Sequence, residues 1–510
     1  MTTNSVGTFC LVLHTHLPWL AHHGSWPVGE EWLHQAWATS YDPVLTVLAD
    51  LADEGHTDLL TLGITPILAA QLDDPYCLDL QRIWLNDRHL RATGMTAASD
   101  PTRRELGRWE AEKSLSTIQS FEDRWRNGGS PLIRSLIDRQ AVELLSGPLA
   151  HPFQPLLDPD VAGFELTAGL DDTELRLGHR PRGLWAPECA YRPGLEQLYQ
   201  QAGVGHFLLD GPTLQHVGAP TTAGTLIGES DVVGFGRDLD VTYRVWSPRR
   251  GYPGGKWYRD FHTYDHDWGF RHSRVTSTRT SPEDKAPYDP ARAEAAVAAD
   301  AEDFVTTVRS RLHDIAAAQD GRPGLVVAAY DTELFGHWWL EGPQWLRQVL
   351  TQLPEAGVDV TTLTGAINSG HVAGRTRPNS GSWGSGKDWH IWDGEAVQGM
   401  VADNTAAQDR VLRLLKSVPA DGARSLVADQ LLRDLVLALQ SDWAFMISHE
   451  SAQGYATDRH RQHHAAVSEL AEIVERTGWD SSTAQRVSSE HRTTNGPFGH
   501  LDARQVRHDR

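Results

Sequence analysis

Short apolar runs alternate with amphipathic stretches through the first 370 residues of the chain. The runs are GTFCLVL (7–13), TDLLTLG (57–63), AVELLSG (141–147), RGLWAP (182–187), GHFLLD (205–210) and GLVVAAYD (324–331). Between them, apolar residues recur at helical spacing over 43–54, 102–126, 131–140, 193–202, 288–319 and 343–353. This alternation predicts a parallel α/β sheet wrapped by helices, and runs that are apolar on both sides suit strands buried on both faces. The interval from about 70 to 140 is too long for one crossover helix and predicts an inserted helical subdomain. Residues 211–240 are rich in Gly, Pro and Thr and begin a loop or β excursion that extends to about 285. With these insertions, residues 1–370 form the first domain. Helical patterns near 404–418, 424–441 and 457–477 then make 371–480 a C-terminal helical domain that contributes to the active-site cleft. The polar stretch 481–510 has no periodicity and reads as a disordered tail.

Charge and composition narrow the partners. A net charge of −21 repels phosphate backbones and anionic membranes, so neither nucleic acid nor a membrane is expected. No stretch approaches the roughly 20 apolar residues of a membrane span, and the N-terminus lacks the basic segment of a secretory signal. The three cysteines, Cys10, Cys77 and Cys189, are odd in number and at no metal-like spacing, which fits free thiols in a reducing compartment and a cytoplasmic protein. Nothing in the sequence specifies an oligomer, and a monomer is the favoured reading. Tryptophan is over-used, with 19 residues against 11 Tyr and 12 Phe; its flat face suits both core packing and stacking on sugar rings.

Several predicted strands end in an ionisable side chain: His14 and His16, then His151 a few residues past its strand, Glu188, Asp210 and Asp331. The C-terminal strand ends of a parallel barrel share one mouth, so these residues can converge although they are scattered in sequence. Each alone has a plainer reading, since an Asp after a strand often caps the next helix. His14 and His16, two apart on an extended strand, point to the same side and invite a metal; the alternative is neutral imidazoles binding a polar ligand. No third and fourth ligand follow at a familiar spacing. Glu188 and Asp331 form a candidate pair of the kind that cleaves glycosidic bonds, one carboxyl protonating the leaving oxygen and the other attacking carbon. Trp185 and Tyr191 flank the first, and Glu333, His337, Trp338 and Trp339 flank the second.

In order and spacing, HTHLPW (14–19), SGPLAHPFQPLL (146–157), GLWAPECAYRPGLE (183–196), AAYDTELFGHWW (328–339) and SDWAFMIS (441–448) resemble the five signature regions of glycoside hydrolase family 57. The last of these and the loop SGSWGSGKDWHIW look most like the family's 1,4-α-glucan branching enzymes. The resemblance implies a distorted (β/α)7 barrel, a retaining mechanism with Glu188 as nucleophile and Asp331 as general acid/base, an α-glucan substrate, and no metal or cofactor. It places His14, His16 and His151 at the donor subsite. Arg259, Trp383, Asp442 and Ser451 fall at substrate-binding positions, and Trp268, Trp383 and Trp392 at an aromatic gate. Trp19, Trp185 and His337 complete the expected binding set.

Hydrolysis and transfer share the first step and differ in whether water or a sugar 6-hydroxyl reaches the intermediate. Branching relatives carry a mobile loop with a tyrosine at its tip between the third and fourth regions, and no tyrosine lies from Gly211 to Val241 here. The chain departs from that pattern or uses another residue there, and it is the SDWAFMIS and SGSWGSGKDWHIW regions that lead the sequence to predict a branching enzyme. A 4-α-glucanotransferase or α-amylase is the nearest alternative, a metal-dependent amidohydrolase or deacetylase the alternative from another class, and a catalytically silent glucan-binding protein a third.

Overall fold

The strand Gly7–Thr15 (β1) is buried at all nine positions, and its two faces serve different layers. Phe9, Leu11 and Leu13 pack outward against the helices, Phe9 edge-to-face on Phe304. Cys10 and Val12 point inward, among Leu145, Leu208 and Val327. Two-residue periodicity carries the inward face on to His14 and His16, which is why both histidines emerge at the barrel mouth. The coordinates are a computed structural model that describes residues 5–506 apart from 27, 248–249, 278 and 419–421.

Eight further strands extend the main path of the sheet: Leu60–Ile64 (β2), Val142–Ser146 (β3), Gly183–Leu184 (β4), His206–Leu209 (β5), Gly224–Ile227 (β6), Val233–Gly236 (β7), Gly324–Asp331 (β8) and Val372–Thr376 (β10). A short strand, Asp359–Val360 (β9), pairs beside the start of β1. The order is β10-β6-β7-β5-β4-β3-β2-β1-β8, parallel throughout except between β6 and β7. The Asp238 amide donates to the Val327 carbonyl at 2.8 Å and the Leu325 amide to Thr222 at 3.2 Å, so β8 curls back toward the β6–β7 region. The result is a distorted (β/α)7 barrel with appended helices. In β8 the inward residues are Leu325, Val327 and Ala329, so the parity places Asp331 inside, where it is in register with His14.

Four of the long helices begin on the same signal. Asp74-Pro75, Asp100-Pro101, Asp158-Pro159 and Asp289-Pro290 each put a capping carboxylate before a proline, and each carboxylate accepts from a backbone amide of the first turn. Two of them, Pro75–Met95 and Pro101–Ser120, occupy the interval expected to be an insertion. The Gly-rich stretch after residue 211 is more regular than a loop. It holds β6, β7 and the helix Leu239–Trp246. Its glycines give space for packing: a Cβ at Gly234 meets Ile227 and Leu209 side chains at 2.8–2.9 Å.

The C-terminal helices surround Leu426–Ala438, in which every residue from Val427 to Ala438 is buried. Residues 481–506 are ordered, against the expectation of a disordered tail; residues 507–510 lie outside the described residues. Ser482–Arg492 is a helix, and Phe498, Leu501, Ala503 and Val506 are buried. The order comes from the buried polar groups of the central helix. Arg433 donates to the carbonyls of Pro497 at 2.6 Å and Phe498 at 3.2 Å, and Asp434 accepts from Asn495 at 2.8 Å. A polar tail without periodicity is thus fixed by satisfying charges that have left water. No helix among the described residues is long and apolar enough to cross a membrane.

Deleting residues 481–510 leaves Arg433 and Asp434 without these partners and uncovers Trp19, whose indole N–H donates to the Thr494 carbonyl. Truncation is expected to cost several kcal/mol, on the scale of about 2–5 kcal/mol per large buried side chain. Thermal unfolding followed by circular dichroism checks this; an unchanged melting temperature contradicts it.

Candidate active site

Glu188 lies in a strained turn. After the two-residue strand β4 the chain makes a tight turn over Pro187–Cys189, with Glu188 at φ 61° and Cys189 at φ 48°. Left-handed backbone at a non-glycine residue costs about 1–3 kcal/mol and persists only where its surroundings hold it. The Cys189 amide donates to Ala186 at 2.8 Å, the Ala190 amide to Pro187 at 3.0 Å, and the Trp383 amide to the Glu188 carbonyl at 3.0 Å. The side chain is held as well. Its Oε2 accepts from the Trp383 indole N–H at 2.9 Å and its Oε1 from the Ser441 hydroxyl at 2.7 Å. Burial, followed by the charge of Asp442, raises the Glu188 carboxyl to about 7; the Ser441 and Trp383 bonds pull the other way.

Three histidines stand beside it. His151 Nδ1 is 3.0 Å from Ser441 Oγ, and its Nε2 is 3.1 Å from His14 Nε2. With Glu188 ionised, only one proton order satisfies this chain: His14 donates to His151, His151 to Ser441, and Ser441 to the carboxylate. Burial holds both His14 and His151 well below the usual imidazole range, so the chain runs through neutral rings. His14 also stacks flat on Trp185, 4.3 Å between ring centres at 6°. His16 places Nδ1 3.0 Å from Thr65 Oγ1 and Nε2 3.0 Å from Asp442 Oδ2.

Asp331 ends β8 on the same cavity, pushed up to about 7 by burial, with Arg237 and His16 opposing. Two residues on, Glu333 is raised to about 8 by burial and by Asp331; it accepts from the Tyr41 hydroxyl at 2.6 Å. Gly336 allows the chain to turn here: at φ 105°, a Cβ would lie 1.7 Å from the Thr39 carbonyl oxygen. Behind the wall, buried Asp210 accepts two bonds from Arg237, at 3.0 and 2.8 Å, and pairs with Lys387 at 2.8 Å. Arg237 lies over the Trp383 ring and Lys387 donates to the Trp383 carbonyl, so this ion cluster fixes the tryptophan that holds Glu188.

Together these residues line a cavity of about 620 Å³, within the range of roughly 300–1,000 Å³ that encloses a small-molecule ligand. Of the residues expected from sequence, His14, His16, His151, Glu188, Asp331, His337, Trp383, Asp442 and Ser451 all line it. Five do not. Trp185 supports the wall from behind, against His14 and Trp383. Trp19 is core, with its indole on Thr494. Arg259 is spent on buried Glu110 at 2.7 Å, Trp268 packs over Gly94 of the insertion, and Trp392 stacks on Phe153 at 4.7 Å. Sequence reasoning passed over Ser441, Arg237, Lys387, Phe261, Tyr243 and Trp246. Ser441 directly precedes Asp442 in the SDW motif; Tyr243, 41% exposed on the cavity wall, lies two residues past the Gly211–Val241 segment that lacks a tyrosine. His16, His151 and Asp442 lie close together, but the two imidazole rings stack at 3.7 Å and 21°, so their Nε2 lone pairs do not converge on one metal ion.

Comparison with known proteins decides the lineage. The sequence profile of glycosyl hydrolase family 57 matches residues 10–379. The chain belongs to this family. A second profile, the C-terminal domain of 1,4-alpha-glucan branching enzymes, matches residues 404–506 of this family 57 chain. The chain is 50% identical to a probable 1,4-alpha-glucan branching enzyme of Mycobacterium tuberculosis, over 98% of both proteins. It is 32% identical to a 1,4-alpha-glucan branching enzyme of Thermococcus kodakarensis, covering 92% of this chain and 74% of that one. The crystal structure of a family 57 branching enzyme from Pyrococcus horikoshii superposes with a TM-score of 0.91 at 28% identity, over 99% of this chain and 97% of that one.

Two carboxyls raised to about 7 in one cavity predict a bell-shaped dependence of kcat/KM on pH for chemistry that needs one ionised and the other protonated. With Glu188 as the group needed ionised and Asp331 as the group needed protonated, activity is expected to fall on the acid side as Glu188 takes up a proton and on the alkaline side as Asp331 loses one. Asp442 raises Glu188, so Asp442→Asn is expected to move the acid limb to lower pH and leave the alkaline limb in place. An acid limb that stays, or moves up, contradicts the assignment.

Proposed function

We propose that this family 57 chain is a retaining 1,4-α-glucan branching enzyme. The observation that carries the reading is the pairing of Glu188 and Asp331 on one cavity, each raised to the pH at which one can be ionised and the other protonated. The cavity wall also carries aromatic faces suited to sugar rings, among them Trp32, Tyr243, Trp246, Trp338 and Trp383. The relatives of M. tuberculosis and T. kodakarensis, whose names give the same activity, support it across most of the chain.

In the first half-reaction a Glu188 oxygen forms a bond to the anomeric carbon while the bond from that carbon to the 4-oxygen of the leaving chain breaks. Asp331 gives its proton to that oxygen. The Ser441 and Trp383 bonds fix the attacking carboxylate, and their donors are already in place, so no reorganisation accompanies the attack. In the second half-reaction Asp331, now ionised, takes the proton of an acceptor 6-hydroxyl as its oxygen bonds to the anomeric carbon and Glu188 departs. Two inversions at one carbon give net retention.

Transfer in place of hydrolysis needs water kept from the intermediate. Tyr243 and Trp246, 41% and 38% exposed on one short helix at the cavity, supply apolar surface where an acceptor chain would lie. We assign to Tyr243 the place of the loop-tip tyrosine that the sequence lacks between Gly211 and Val241. The same-family alternatives, a 4-α-glucanotransferase or α-amylase, differ from this reading in that acceptor step. The three buried free cysteines favour a cytoplasmic location.

Purified protein incubated with amylose is expected to generate α-1,6 linkages, seen as a new anomeric proton signal by NMR, and Glu188→Gln to lower their rate by at least about a thousandfold. New reducing ends without α-1,6 linkages would favour the amylase alternative. A Glu188→Gln enzyme as fast as the native one overturns the mechanism.

A further inference from the structure

Glu165 is a buried carboxyl that the chemistry above does not use. It lies in the helix Pro159–Leu177, is 0% exposed, and forms no ion pair among the described residues. Burial raises it to about 8, opposed by the Ala150 and Leu149 amides. Filling a core position with a carboxyl costs stability unless its hydrogen bonds are needed. The cavity wall does not include it, so any part in the reaction is indirect.

Glu165, Gly169 and Thr173 stand four residues apart on one face of that helix, and all three meet the segment after β3. Thr173 Oγ1 is 2.7 Å from Ser146 Oγ. A Cβ on Gly169 would lie 2.2 Å from the Gly147 carbonyl oxygen, so only glycine lets the segment cross the helix there. Glu165 Oε2 accepts from the Ala150 amide at 3.0 Å, and the Glu165 carbonyl accepts from the Leu149 amide at 2.9 Å. The next residue is His151, at φ 59°, and left-handed backbone at such a residue persists only where its neighbours are held. From His151 the contacts run on to Glu188. Its carbonyl accepts from the Ser441 amide at 3.0 Å, its Nδ1 is 3.0 Å from Ser441 Oγ, and that hydroxyl donates to Glu188 Oε1 at 2.7 Å.

We propose that Glu165 is a positioning residue for the reaction: by accepting from the Ala150 amide it holds His151 where its ring reaches Ser441, and Ser441 in turn reaches Glu188. The part in turnover rests on the glucan reading given above, but the anchoring itself does not. A carboxyl that only stabilised the fold would lower the melting temperature on substitution and leave the chemistry as it was.

Glu165→Met removes the acceptor and keeps the length of the side chain, whereas Glu165→Gln keeps an acceptor oxygen. In Glu165→Met, kcat on amylose is expected to fall at least about tenfold with KM within about twofold of native. The acid limb of its pH profile is expected to move up, because the Ser441 bond that lowers Glu188 is weakened. Glu165→Gln is expected to keep most of the native kcat, its carbonyl oxygen taking the place of Oε2. In a Ser441→Ala background, adding Glu165→Met is expected to have little further effect on kcat, since the path through Ser441 is already cut. Deuterium exchange read by mass spectrometry is expected to quicken at the Ala150 and Ser441 amides in Glu165→Met and not in Glu165→Gln. Should Glu165→Met fail to fold, Glu165→Asp, one methylene too short to reach Ala150, carries the same expectations. Native kcat and acid limb in Glu165→Met, an equal loss with and without Ser441, a Gln variant as slow as the Met variant, or unchanged exchange at the two amides overturns the proposal. Failure of the glucan reading shows separately, as native protein that leaves amylose unaltered, and the exchange measurement then decides the anchoring by itself.

Discussion

The architecture depends on how one carboxylate is held out of water. Glu188 is buried in left-handed backbone and bonded by side chains from beyond the barrel: Trp383 from a loop after β10, and Ser441 from the C-terminal helices. The Ser441 bond forms only with the C-terminal helices seated on the barrel mouth, and the Trp383 bond only with the loop after β10 folded against the turn after β4. The dependence runs both ways. The Trp383 amide binds the Glu188 carbonyl, the Ser441 amide binds the His151 carbonyl at 3.0 Å, and Asp210 ties Arg237 of the barrel to Lys387 of the loop. The helical domain is therefore part of the active site in a physical sense, because it supplies donors that make burial of the carboxylate tolerable.

Such a site has a cost in stability that the chemistry requires. Glu188, Asp331 and Glu333 all have carboxyl groups raised by burial, to about 7, 7 and 8. A carboxyl raised in the folded state favours folding fully below its unfolded value, and that contribution is lost as pH rises through the folded one. Across pH 4 to 8 this cluster thus works progressively against the fold. The rest of the molecule offsets it with a continuous buried core and with buried ion pairs such as Arg259 with Glu110. The same burial raises Asp331 to about 7, so a protonated fraction persists near neutrality, as the proposed general acid needs.

What the sequence made legible was local. Parity along GTFCLVLHTH and GLVVAAYD places His14, His16 and Asp331 on the inner face because a strand's two-residue period survives any packing detail. The parallel barrel follows from the alternation of runs, and Glu188 from the motif around it. The errors share a different origin. Residues 481–506 have no pattern of their own, and their order is imposed by Arg433 and Asp434 far earlier in the chain. Of the two readings left open for the Gly-rich stretch, loop or β excursion, the strands β6 and β7 bear out the second, and glycine there admits neighbouring side chains into a strand. Arg259, Trp268 and Trp392 were placed at the substrate by motif position alone, whereas Glu110, Gly94 and Phe153 are their partners. Arg237 and Lys387 had no signal, since their meaning depends on a carboxylate shared across the fold.

The central claim is that Glu188 becomes covalently bonded to the sugar. Incubation with an activated fluorinated glucosyl donor, whose electron-poor ring slows departure from the enzyme, followed by proteolysis and tandem mass spectrometry, tests it most directly. The account predicts one glycosyl group on the peptide that contains Glu188, localised to that residue and absent when Asp331 is the only carboxyl left in the pair. A label on Asp331, or turnover of the donor with no labelled carboxylate, would contradict it.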